Sequence, residues 1–147
     1  MQTHLHGKDM ITTQEWTKEE IDIREPIDVK VEYWQTRDSQ LAPFANIHFF
    51  NEEGIRLFVS TDMVNVQWRK ARRQAGVVRT TCHIPGNFFA EGRVFVEAAV
   101  SSLNPTTIHV DVPEAVAFQI VDRSEGDGVR ADSVGEYVGV VRPMFNW

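Results

Sequence analysis

The groups in this 147-residue chain that could do chemistry are five histidines, one cysteine and a few paired carboxylates. His4 and His6 form an H-x-H pair, while His48, His83 and His109 fall in segments that read as different strands. None has the HExxH or H-x-E…C-x-x-C spacing that makes a zinc site specific, so no metal is expected. His83, beside Cys82, reads as a sheet residue hydrogen-bonded to its surroundings. Cys82 lies in an alternating stretch, where cysteine packs as a small apolar residue, and there is no G-x-S-x-G elbow to present a nucleophile. No G-x-x-x-x-G-K-[ST] loop and no G-x-G-x-x-G after a strand occurs, which removes ATP and dinucleotides, and no cofactor is expected. Glu52-Glu53 and Asp111 could serve glycoside hydrolysis only if opposed across a cleft, and they read as solvated surface. The residues therefore point to a chain that is not an enzyme.

Two other groupings carry binding chemistry. Arg69-Lys70-Ala71-Arg72-Arg73 follows Trp68, and arginine with an indole can hold phosphate and stack on a base. The chain carries a net charge of −6 and has no second basic stripe, so no nucleic-acid partner is expected. The basic run is left with three roles: solvated loop, internal ion pair or protein contact. Hydrophobic residues make up 42% and charged residues 24%, the balance of a folded domain rather than a disordered chain. A single cysteine excludes an internal disulfide. No run of 18 apolar residues and no apolar N-terminal signal is present, so the domain is read as cytoplasmic.

The elements that must position these residues are strands. Apolar residues alternate at a spacing of two through Val29, Val31, Tyr33; Ala45, Ile47, Phe49; Leu57, Val59; Val94, Val96, Ala98, Val100; and Ile108, Val110, Val112. Turn signals separate them at Asn51–Gly54, Pro85-Gly86-Asn87, Glu91-Gly92 and Asn104-Pro105. Strands are predicted over 22–25, 28–36, 44–50, 55–60, 77–84, 93–102, 106–112 and 115–121. With no amphipathic helix long enough for a parallel crossover, the fold class is all-β, a sandwich. Residues 1–17 read as a tail or linker end and 18–147 as one domain. Thr61–Gln74 reads as a loop or one short helix, and Ser124–Gly139 as a flexible connection. The apolar terminus Val140–Trp147 must dock on something.

Alternation also selects an outward face. If Ile47 and Phe49 point inward, Asn46, His48 and Phe50 point out; Arg93, Phe95 and Glu97 follow from Val94 and Val96, and His109 from Ile108 and Val110. In an immunoglobulin-like order the strands over 44–50, 93–102 and 106–112 are neighbours. Their combined face would offer two aromatic rings flanked by amide, guanidinium, imidazole and carboxylate groups, a chemistry suited to sugars. The alternative is that Phe50 and Phe95 are covered by a loop or a second subunit.

The stretch from Cys82 to Val96, with Ile84-Pro85-Gly86-Asn87 and Glu91-Gly92 at its centre, resembles the C-x-IPGNLLNEG-x-Y-x-V segment of a known family. That family is the C-terminal carbohydrate-binding domain of the ATP-binding subunit of O-antigen and related polysaccharide ABC transporters. Asn51–Gly54 with Leu57–Asp62, His109–Val121 with Asp111 and Glu114, and Gly139–Trp147, similar to GVVRPLLxW, agree in the same order. Val94 and Val78 depart from the aromatic residues of many relatives.

The resemblance implies an immunoglobulin-like antiparallel β-sandwich that forms a homodimer by exchanging its C-terminal strand. It implies recognition of an O-antigen-type polysaccharide by one sheet face, coupled to export through the transporter's ATPase domain and membrane subunit at the inner face of the inner membrane. The family's ATPase portion is not in this sequence, so the chain is read as an excised fragment or a stand-alone binding subunit. A domain that only holds two ATPase subunits together is the other reading.

Overall fold

The computed structural model describes residues 2–5, 14–15, 20–36, 43–123, 128–133, 135 and 137–146. Its strands are β1 Gln2–Leu5, β2 Gln14–Glu15, β3 Glu20–Asp22, β4 Ile27–Gln35, β5 Phe44–Asn51, β6 Arg56–Thr61, β7 Gly76–Ile84, β8 Gly92–Ser102 and β9 Thr107–Val121. A 3-10 turn, Asp62–Val64, and one short helix, α1 Val66–Lys70, follow β6. The strands form two sheets, β2-β1-β4-β7 and β3-β9-β8-β5-β6, the layers of an all-β sandwich. Most pairings are antiparallel, but β1 runs parallel to β4 and β3 parallel to β9. The second order places β5, β8 and β9 side by side, as the immunoglobulin-like reading requires.

The pattern of β4 shows why these segments become strands. Ile27, Val29, Val31 and Tyr33 are buried while Asp28, Lys30 and Trp34 are exposed, so a half-buried strand is the conformation that separates the two sets. Their inward partners are Ile47 and Phe49 of β5, Val94, Val96 and Val100 of β8, and Val116, Phe118 and Ile120 of β9. Phe49 stacks on Phe58 at 4.4 Å between centroids, and Phe89 meets Phe118 edge-on at 5.7 Å. The far half of β8, Ala98–Ser102, is buried on both faces, and small residues there let its neighbours close over it.

Four expectations are corrected. Residues 2–5 and 14–15, expected within a tail, are strands of the first sheet. The strand expected over 22–25 lies at Glu20–Asp22, because Asp22 bends the chain: its carboxylate accepts from the Arg24 backbone N–H and from the Arg24 guanidinium at 2.7 and 3.0 Å. The strands expected over 106–112 and 115–121 are one strand, β9. Val96 pairs with Val116 but Ala98 with Val112, so the bulge absorbs Pro113, which has no N–H to give, and Glu114 at φ 49°. A second shift, from Val100 opposite Val110 to Ser101 opposite Ile108, makes His109 the extra residue and leaves Ile108 64% exposed instead of in the core.

The Pro85-Gly86-Asn87 turn ties distant segments together. A Cβ on Gly86 would stand 2.0 Å from the Arg24 carbonyl oxygen, so only glycine fits. Asn87, at φ 55°, donates its N–H to Ile23 O, and its own carbonyl accepts from Met144 N at 3.1 Å. Arg142 N bonds Phe88 O at 2.8 Å, so the C-terminal segment, expected to dock, docks on this turn. Val138, Val140 and Phe145 stay exposed beside it. The connection expected to be flexible, Ser124–Gly139, lies partly outside the described residues.

Candidate functional site

On the outer side of the five-stranded sheet, Asn46, His48 and Phe50 alternate with the buried Ala45, Ile47 and Phe49 along β5. Across the ladder on β8, Glu97 stands opposite His48 and Phe95 opposite Phe50. The strand period of two therefore brings four of the predicted side chains into two adjacent pairs. His48 Nδ1 lies 3.1 Å from Glu97 Oε1, within ion-pair range when the ring is protonated but misaligned for a hydrogen bond. Both side chains are only about a quarter exposed, at 21% and 26%.

The two phenylalanines each carry a guanidinium. Arg56 lies over Phe50 at 5.2 Å and Arg93 over Phe95 at 5.6 Å. Phe50 and Phe95 are half-buried and stand outside the core cluster, so neither is a core ring. Asn46 donates to Ser101 Oγ at 3.2 Å, which orients its carboxamide along the same face. Val59 of β6, opposite His48, adds an exposed apolar side chain. Six of the seven predicted residues, Asn46, His48, Phe50, Arg93, Phe95 and Glu97, thus line β5 and β8.

His109 does not join them. The β9 bulge takes it out of the alternation, and its Nε2 pairs with Ser102 Oγ at 2.9 Å at the far end of β8. His83 pairs with Asp28 on the other sheet at 2.7 Å. The three histidines have separate partners, and among the described residues no three His, Cys, Asp or Glu groups come together to hold a metal. Glu52 and Glu53 form the exposed tip of the β5–β6 hairpin, whose backbone N–H groups at Glu53 and Ile55 bond Asn51 Oδ1.

A second polar constellation was missed in the sequence. Asp62 follows β6, and its carboxylate accepts from the Trp68 indole N–H at 2.6 Å and from Ala45 N at 3.2 Å. Burial pushes its pKa above the usual carboxylate value, and the Trp68 bond opposes that rise without cancelling it. Asn65 caps α1 by accepting from Trp68 N at 3.0 Å. Arg73, the last residue of the basic run, is buried; its guanidinium lies 3.6 Å over Trp68 and donates to Trp68 O at 2.7 Å and Ala71 O at 3.2 Å. One member of that run is thus structural, while Arg69, Lys70 and Arg72 face solvent. The available signals were Asn65 at a cap position and Asp62 six residues before Trp68, neither of which announces a buried pair.

No protein-family model and no curated protein matches the chain. Among solved structures, the crystal structure of the C-terminal domain of Wzt is similar to it, with a TM-score of 0.63 and 12% identity over 93% of this chain and 80% of that one. At that identity the likeness is one of fold.

Proposed function

We propose that this chain is a non-catalytic carbohydrate-recognition domain that takes an O-antigen-type polysaccharide on the outer face of β5 and β8. The observation that carries the reading is the pair of half-buried rings, Phe50 and Phe95, each with a guanidinium over it and with His48, Glu97 and Asn46 alongside. Rings offer a platform for the C–H faces of sugars, and the polar groups answer hydroxyls with both donors and acceptors. An open sheet face buries little of a ligand, which suits weak, reversible capture of a chain that must be handed on. The motif resemblance and the shared fold with the Wzt domain support a place in a polysaccharide ABC transporter, beside its ATPase domain and membrane subunit.

The test is a calorimetric titration of the chain with lipopolysaccharide glycan from the producing cell, against an unrelated polysaccharide. Saturable binding to the first alone, lost in Phe95→Ala with the fold retained, is the expected result. A folded protein that binds neither glycan overturns the reading.

A second reading, a dimerisation domain without glycan binding, is favoured by one feature: Val138, Val140, Met144 and Phe145 are exposed at the C-terminal segment. Exchange of that segment between two copies would cover them. Light scattering of the chain and of a truncation after Gly139 separates the two readings. Loss of dimer with retained glycan binding assigns the segment to assembly alone.

A further inference from the structure

We propose that the cleft between β6 and β7 is a second ligand site, separate from the sheet face, which takes one uncharged, hydroxyl-rich ring such as a hexopyranose. β6 ends the five-stranded sheet and β7 ends the four-stranded sheet, so the sandwich opens between them. The opening has a volume of about 590 Å³, with Val31, Ala45 and Ile47 at its floor and Trp68 on its wall. That size lies within the ~300–1,000 Å³ of small-molecule sites.

The chemistry of the walls selects the ligand. Ser60 from β6 and Thr80 from β7 line the cleft on opposite sides, and Asp62 presents its carboxylate. A carboxylate has about four lone-pair directions. The Trp68, Ala45 and Thr80 bonds to Asp62 leave room for a ligand hydroxyl. A phosphate or carboxylate ligand would meet the Asp62 charge. The rim cation Arg79 is already paired with Glu32 through Nε, and His83 with Asp28, so each answers a carboxylate of its own before any ligand. A cationic ligand would find the Asp62 carboxylate already acted on by the nearby Arg73 charge. A neutral polyol, apolar on one side and hydroxyl-bearing on the other, fits the floor and the walls together.

The site is also preorganised. Arg73 packs on the indole of Trp68 and Asp62 holds its N–H, so the aromatic wall is set before any ligand arrives. The inference deepens the glycan reading but stands on different residues, so either can fail alone.

Cys82 makes the test selective, because it lines this cleft and is the chain's only cysteine. The rate of Cys82 alkylation by iodoacetamide is measured on the full chain against a panel of methyl hexopyranosides at millimolar concentration, alongside the Trp68 indole N–H resonance. At least one glycoside should slow alkylation in proportion to occupancy and shift the Trp68 signal. Thr80→Val, which keeps strand shape and removes the hydroxyl, should abolish both effects, and Phe95→Ala should leave both unchanged. Should Cys82 resist alkylation, the indole shift alone decides. The proposal is overturned if no glycoside moves that resonance, if Thr80→Val leaves the response intact, or if Phe95→Ala removes it. Failure here with glycan titration intact leaves the sheet-face reading standing, and the reverse result leaves only the cleft.

Discussion

The outer face of β5 and β8 and the cleft under Trp68 are built by opposite means. On the face, the side chains are placed by strand period and ladder register, and His48 and Glu97 keep about a quarter of their side-chain surface exposed. In the cleft, residues from β6, α1, β7 and the start of β5 meet through contacts that no local period specifies, and a carboxylate is drawn out of solvent. The face should therefore tolerate side-chain changes that alter binding alone, whereas removal of the cleft's aromatic wall should carry folding with it.

The largest expected effect lies in the cleft. Trp68→Ala removes the wall, the bond to Asp62 and the seat of Arg73, and should cost about 2–3 kcal/mol of stability by urea unfolding. Glycan binding by the sheet face should persist in whatever fraction remains folded. If Trp68→Ala changes stability by less than about 0.5 kcal/mol, the distinction between the regions collapses.

On the face, Phe95→Ala and Phe50→Ala should each weaken glycan binding about tenfold or more, equivalent to about 1.4 kcal/mol, with smaller losses of stability. Both are read by titration and urea unfolding of the same samples. A variant that unfolds shows that its ring belongs to the core after all.

A smaller effect separates two carboxylates by pH. The folded protein binds the Asp62 proton more tightly than the unfolded chain, so stability rises as pH falls through the raised Asp62 pKa and stops rising below 3.8. Asp22 behaves in the opposite sense: its bonds to Arg24, the side-chain bond first, lower it from 3.8 to about 2, and its contribution is lost as pH falls through that interval. The difference in urea midpoint between wild type and Asp62→Asn should change with pH above 3.8, and that for Asp22→Asn below it. Overlapping windows would contradict the assigned environments.

The smallest expected change is Arg56→Ala, which removes the guanidinium over Phe50 at an exposed position. It should cost about 0.5 kcal/mol in glycan affinity and almost nothing in stability. An effect as large as that of Phe50→Ala would mean that Arg56 contacts the ligand directly.

Much of the fold and six of the seven face residues were legible because strand alternation is a local property. Once Ile47 and Phe49 are inward, Asn46, His48 and Phe50 have no other side to occupy. His109 was misplaced because a bulge adds one residue and breaks the parity on which the inference rests. The motif around Pro85-Gly86-Asn87 was visible in sequence, yet its physical work is to let the Arg24 carbonyl approach Gly86 and to receive the C-terminal segment.

By itself, then, the sequence determined the all-β class, the central strands and the chemistry of one sheet face, since each depends on neighbours two residues apart or on a recognisable turn. Only the tertiary structure decided that β9 is one bulged strand, that Arg73 is locked on Trp68, and that Asp62 lines a cleft with Thr80 and Cys82. Those outcomes depend on which edges of two sheets face each other, and burial of a charge is set by what packs around it rather than by what precedes it in the chain.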